Sequence, residues 1–110
     1  MHSTLIVGRM DPESSLEVAQ LFTAFDETGM PHRMGTRRRE LFSYNGLYFH
    51  LQDFLHDDGR ERVSGARTDP LFIKISEDLR RHIRAYDPET WRSPVDAMAT
   101  RFYHWQPPSS

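Results

Sequence analysis

His50 and Arg39 are the two side chains of this sequence best placed to share a chemical task, because a short turn between them sets both on one face of a hairpin. Asn45-Gly46 supplies the turn: both central residues of a two-residue type I′ loop take positive φ, which Asn and Gly accept. Tyr44 then faces Leu47, Ser43 opposes Tyr48, Phe42 opposes Phe49, Leu41 opposes His50 and Arg39 opposes Gln52. One face carries Arg39, Leu41, Ser43, Tyr48, His50 and Gln52. The other carries Phe42, Tyr44, Leu47, Phe49 and Leu51. Arg39 lies diagonal to His50, about 7 to 8 Å away between α-carbons, so both can address one ligand atom. A bulge in either strand would shift this register. A histidine with a near-neutral pKa can take a proton from an acidic methylene and return one to a departing hydroxyl. A guanidinium beside it can stabilise a developing oxyanion. Asp26 falls at the expected end of the first helix, where the macrodipole disfavours a carboxylate unless a cation stands near, and Arg39 could be that cation.

Each of these residues also has a plainer reading. His50 could be a core histidine satisfied by a polar neighbour, Asp26 a solvated turn residue, and Arg39 one member of the Arg37-Arg38-Arg39 surface run. Tyr48, Gln52 and Ser43 could bind hydroxyls and carbonyls of a substrate or be structural. Phe22, Phe25, Phe72, Trp91 and Tyr103 could wall an aromatic ligand or simply fill the core. The six histidines include no i, i+4 pair, so no metal site is expected. Neither a glycine-rich phosphate loop nor a nucleophile elbow is present.

Composition narrows the classes further. The 110 residues fit one domain with a small core, and a net charge of −2 with interspersed signs leaves no footprint for nucleic acid or an anionic membrane. With no cysteine, disulfides, thiolate metal sites and a cysteine nucleophile are excluded. No apolar run approaches a membrane span and no signal-like segment follows Met1, so a soluble cytoplasmic protein is expected.

The elements that must position these residues follow from pattern. Residues 3–9 read as a strand. Asp11-Pro12 caps a helix over about 12–26, with a Ser14/Glu17 capping box as the alternative, and Val18, Leu21, Phe22 and Phe25 form its apolar stripe. Gly29 and Pro31 stop it. The hairpin strands run over about 37–44 and 47–54, and a short helix is expected at about 61–66. Asp69-Pro70 caps a further helix whose stripe is Phe72, Ile75, Leu79 and Ile83 and whose end is near Tyr86-Asp87-Pro88. Residues 99–105 read as the last strand, within a single domain over 1–106, and 107–110 as a disordered tail. The order β, α, β, β, α, β is that of an α+β ferredoxin-like sandwich, an antiparallel sheet with both helices on one face. The chain has no spare element for the other face, so a homodimer packed sheet to sheet is expected.

The segments LIVGRMDP, FDETGMPHRMGTRRRELFSYNGLYFHLQD, ARTDPLFIKISEDLRRHI and RFYHW resemble the tetracenomycin-type aromatic polyketide cyclases over residues 3–105. The resemblance implies a dimeric α+β barrel that closes rings in a poly-β-ketone or partly cyclised intermediate by aldol chemistry and dehydration, without a cofactor. Its substrate would be a polyketide, free or held on an acyl carrier protein, in type II biosynthesis. The family's polar residues map onto Asp26, Arg39 and His50, whereas the histidine that some members place before the aspartate is Phe25 here. Two rival functions stand beside this: a cofactor-independent anthrone-type monooxygenase on the same fold, and a non-catalytic dimeric module that binds an aromatic metabolite.

Overall fold

The computed structural model describes residues 2–108. Its strands are β1 (His2–Met10), β2 (Thr36–Tyr44), β3 (Leu47–Phe54) and β4 (Ile83–Ala85), and its helices α1 (Ser15–Asp26), α2 (Met30–Met34), α3 (Gly59–Ala66) and α4 (Pro70–Leu79). Every strand pair is antiparallel, in the order β2-β3-β1-β4. This is the ferredoxin-like α+β arrangement expected from the element order.

The hairpin holds the register derived above. Asn45 and Gly46 take φ of 49° and 78°, and Ser43 pairs with Tyr48, Leu41 with His50 and Arg39 with Gln52. A bulge does occur, but between Thr36 and Arg38, upstream of the residues that matter. Of the two N-terminal caps, the Asp11-Pro12 signal forms: the Asp11 carboxylate accepts from Glu13 N at 3.0 Å and opens a 3-10 turn at Pro12–Ser14 that leads into α1. Ser14 makes no side-chain cap. Asp69 caps α4 in the same way through Leu71 N at 2.9 Å.

The helices bury the face of the sheet that carries Tyr48, His50 and Gln52. Val18, Phe22 and Phe25 of α1, Met30 and Met34 of α2, Val63 of α3 and Ile75 of α4 close over Tyr48 and Phe54. The opposite face is left open. Phe42 is 50% and Tyr44 68% exposed, and Leu47, Phe49 and Leu51 are only half-buried, joined by Leu5 and Val7 through the β1–β3 register.

Three sequence expectations are corrected. Gly29 and Pro31 do not simply end a helix: Pro31 sits in the first turn of α2, which closes at Gly35 with φ 74°. Proline's fixed φ suits a helix start as well as a stop, so the same residue signals either. The helix expected to reach Tyr86 ends at Leu79, and Ile83 begins β4. Ile83 still lines the same cavity as Phe72, Ile75 and Leu79, so its apolar character reflects a shared wall and not a shared helix. The last strand, expected at 99–105, does not form. Met98 bridges Ile6, and Ala99 N donates to Leu5 O at 2.7 Å, after which the chain leaves the sheet with Phe102, Tyr103 and Trp105 exposed. Alternating aromatic character favours a strand only where an edge is offered to pair with it. Of the expected tail, Pro107 and Pro108 are exposed, and residues 109 and 110 lie outside the described residues.

Candidate active site

A cavity of about 380 Å³ opens between the covered sheet face and the helices. α1 contributes Phe22 and Phe25, three residues apart on one helical face. β2 contributes Arg39, β3 Tyr48, His50 and Gln52, and α4 Phe72 and Ser76. Trp91 and Arg92 arrive from the segment after β4. Most of the wall is apolar or aromatic, with a few polar groups converging on it, as suits a flat organic ligand.

The polar centre is a chain of three side chains. Asp26 is the last residue of α1, and its carboxylate is held by Arg39 in a forked pair: Nε at 3.1 and 3.0 Å from the two oxygens and Nη2 at 2.9 Å from Oδ1. The guanidinium thus supplies the cation that a carboxylate at a helix C-terminus needs. Arg39 Nη1 then reaches His50 Nε2 at 2.8 Å. The Arg39 side chain is 8% exposed and stacks over the rings of Phe22 and Phe25, 4.9 and 5.6 Å from their centroids. His50 packs edge-on to Phe22 at 5.2 Å.

This setting decides the charge of His50. Burial first, and the Arg39 cation second, lower its pKa from the usual value to about 3, so the ring is neutral at pH 7. The near-neutral pKa expected from an ordinary imidazole is therefore corrected. A guanidinium has only donors, so the Arg39 contact requires an unprotonated Nε2 and puts the ring hydrogen on Nδ1. Nδ1 has no protein partner, and among the described residues the one sealed and unpartnered side-chain polar atom is Thr4 Oγ1, so Nδ1 is open to the cavity. Burial raises the Tyr48 phenol above its usual range against the opposing pull of Arg39, which keeps it a neutral donor.

Most of the residues expected at a site do meet here. Arg39, His50, Tyr48, Gln52, Phe22, Phe25, Phe72 and Trp91 all line the cavity. Asp26 does not: it stands behind Arg39. Ser43 is exposed near the turn, beside a smaller recess, and Tyr103 is 75% exposed and away from the cavity. Gln52 Nε2 donates to Thr36 Oγ1 at 2.7 Å. The sequence reading missed Ser76, Arg80 and Arg92 on the wall. Ser76 and Arg80 flank the Phe72–Ile75–Leu79 stripe at i, i+4 spacing, which could have marked them, whereas Arg92 lies in irregular chain with no periodicity to read. Among the described residues no group of three or more His, Asp or Glu side chains could hold a metal ion, and no helix is long and apolar enough to cross a membrane.

A ferredoxin-like sheet whose covered face holds an aromatic cavity, with a buried Arg–His pair held from outside by an aspartate, defines a class of small α+β proteins built around an organic ligand. Residues 2–106 match the family model described as polyketide synthesis cyclase. The chain is 41% identical over 107 residues to an uncharacterized protein of Streptomyces coelicolor, covering 96% of each. It is 38% identical over 109 residues to tetracenomycin F2 cyclase of Streptomyces glaucescens, covering 99% of this chain and 98% of that one. The solved structure of that cyclase, a type II polyketide cyclase, superposes with a TM-score of 0.90 over 98% of this chain and 100% of that one. The chain belongs to the type II polyketide cyclase family and, with it, to enzymes that act as polyketide cyclases.

Proposed function

We propose that the protein closes a ring in a poly-β-ketone or partly cyclised intermediate by intramolecular aldol addition followed by loss of water, with no cofactor. The observation that carries this reading is the Asp26–Arg39–His50 chain, which ends in a neutral imidazole N–H at the wall of an apolar cavity. An enol carbon of the bound chain attacks a ketone carbon. The carbonyl electron pair moves to oxygen, where the Nδ1–H of His50 donates to the developing alkoxide. Arg39, bonded to Nε2, withdraws electron density from the ring and strengthens that donation. Asp26 holds the guanidinium in place and acts as a positioning residue. The alkoxide takes up the proton released as the enol oxygen becomes a carbonyl, giving a hydroxyl; the neighbouring carbon then loses its hydrogen as a proton, its C–H electron pair forms the carbon–carbon double bond, and the hydroxyl leaves with that proton as water. Electrons balance without an oxidant. Phe22, Phe25, Phe72 and Trp91 fold the substrate so that one enol carbon faces one carbonyl, and such orientation supplies several kcal/mol of the barrier.

The substrate enters as a small polyketide, free or on an acyl carrier protein, and the working unit is a homodimer joined through the open sheet face of Phe42, Tyr44, Leu47, Phe49 and Leu51. An uncovered apolar face of this extent in so small a domain supports that assembly.

Turnover of a partly cyclised polyketide, followed by chromatography of the products with a chelator present throughout, tests the chemistry. His50→Ala removes the donor and should slow turnover by about 10² to 10³, the usual effect of losing one oxyanion donor. His50→Gln keeps an N–H donor and should stay within about tenfold of the parent. Equal loss in both variants would replace the donor role by proton relay, and near-parental rates in His50→Ala would leave a cavity that works by shape alone. Dependence of turnover on dissolved oxygen would favour a monooxygenase instead.

A further inference from the structure

The wall of the cavity carries three guanidiniums and no carboxylate. Arg39 is neutralised from behind by Asp26. Arg80 and Arg92 are not: neither makes a side-chain hydrogen bond or ion pair among the described residues. Three of the carboxylates nearby in sequence hold other partners, and Glu77 and Glu89 form no ion pair with either arginine among the described residues. Asp78 binds Lys74 Nζ at 3.0 Å, Asp87 accepts from Glu89 N at 3.0 Å, and Asp96 accepts from the backbone N–H of Arg92 at 2.8 Å and of Ser93 at 3.1 Å. A protein of net charge −2 thus keeps two cations with no ion-pair partner among the described residues on the wall of this apolar cavity. Hydroxyls accompany them: Ser76 lies one helical turn before Arg80, and Ser93 follows Arg92.

Placement gives this pair a distinct position. Arg39 stands on β2, one edge of the sheet, whereas Arg80 and Arg92 flank β4, the other edge. The two edge strands are three strand spacings apart, about 14 Å. Phe72 and Trp91 line the same wall. His50 stands on β3, two strand spacings or about 10 Å from β4, so a planar ligand lying across the sheet would meet the imidazole donor on one side and the two guanidiniums on the other.

We propose that Arg80 and Arg92 form a carboxylate subsite, seating an acidic group of the polyketide so that the ring to be closed reaches His50. The proposal rests on the aromatic-cavity reading above and adds to it the substrate's charge and a ruler for regiochemistry. A guanidinium pair suits a carboxylate because its forked donors match the two oxygens, and a charged ligand is held more tightly than its neutral ester.

Binding without turnover provides the test. Anthraquinone-2-carboxylate and its methyl ester serve as flat tricyclic probes that differ in the charge. Their affinities are read from quenching of Trp91 in a Trp105→Phe background, so that the exposed tail tryptophan does not contribute. The acid should bind about tenfold more tightly than the ester, as expected for a charge-assisted hydrogen bond at a partly solvated rim. This preference should shrink in each of Arg80→Gln and Arg92→Gln, vanish in the double variant, and leave ester affinity unchanged. Both side chains are exposed, so these substitutions should not disturb folding, and an unchanged thermal midpoint verifies that. Equal binding of acid and ester by the parent, or a preference retained by the double variant, would overturn the subsite. Failure of both probes to bind would overturn the aromatic-cavity reading and the subsite with it, an outcome distinct from binding without preference.

Discussion

Replacing His50 by Gln should make the fold less sensitive to acid, although the change leaves a polar group of similar reach in a buried place. The imidazole titrates near 6.5 in the unfolded chain and at about 3 in the folded one, chiefly because it is buried and secondarily because Arg39 lies against it. Above pH 6.5 both states are neutral and His50 makes no pH-dependent contribution. As pH falls from 6.5 towards 3 the unfolded chain binds a proton that the folded chain refuses. Stability then drops by about 1.4 kcal/mol for each pH unit, approaching about 5 kcal/mol at the acid end. Between pH 7 and 4.5 the His50 share is about 2 to 3 kcal/mol, a large part of a small domain's stability. Other groups titrate in the same range, but they are common to parent and variant. The quantity to measure is the loss of urea-unfolding free energy from pH 7 to 4.5 in the parent minus that in His50→Gln. It should be positive and about 2 to 3 kcal/mol. Nuclear magnetic resonance of the His50 ring should meanwhile show it neutral down to about pH 4, with the hydrogen on Nδ1. Equal acid losses in parent and variant, or a ring that titrates near 6.5 in the folded state, would refute the neutral-donor account on which the proposed chemistry depends.

Two further outcomes follow from the same geometry. Arg39→Lys keeps the charge but loses the fork that spans Asp26 and His50, so turnover should fall by about tenfold or more with little change in KM, and parental kinetics would remove Arg39 from the relay of contacts. Phe49→Glu places a charge in the open sheet face and should convert a dimer in sedimentation to a monomer, whereas a parent protein that is monomeric at micromolar concentration, or a variant that stays fully dimeric, would dismiss that interface.

The hairpin was legible from the residues alone because its information is local. Asn45-Gly46 selects one turn geometry, and the strict two-residue period of a strand then assigns Arg39, Tyr48, His50 and Gln52 to one face without any knowledge of the rest of the chain. The proline-preceded caps at Asp11 and Asp69 were legible for the same reason. What the sequence could not reveal were matters settled by partners distant in the chain. Whether Ile83 continues a helix or begins a strand depends on the edge that β1 offers to it, and whether 99–105 forms a strand depends on finding such an edge. Arg80 and Arg92 are ordinary surface arginines by composition, and only the return of the chain after β4 brings them to one cavity rim. The charge of His50 belongs with these. Its place on the face follows from counting residues, but its neutrality comes from the rings and the guanidinium that α1, β2 and β3 pack around it, because desolvation is a property of the assembled surroundings and not of the residue.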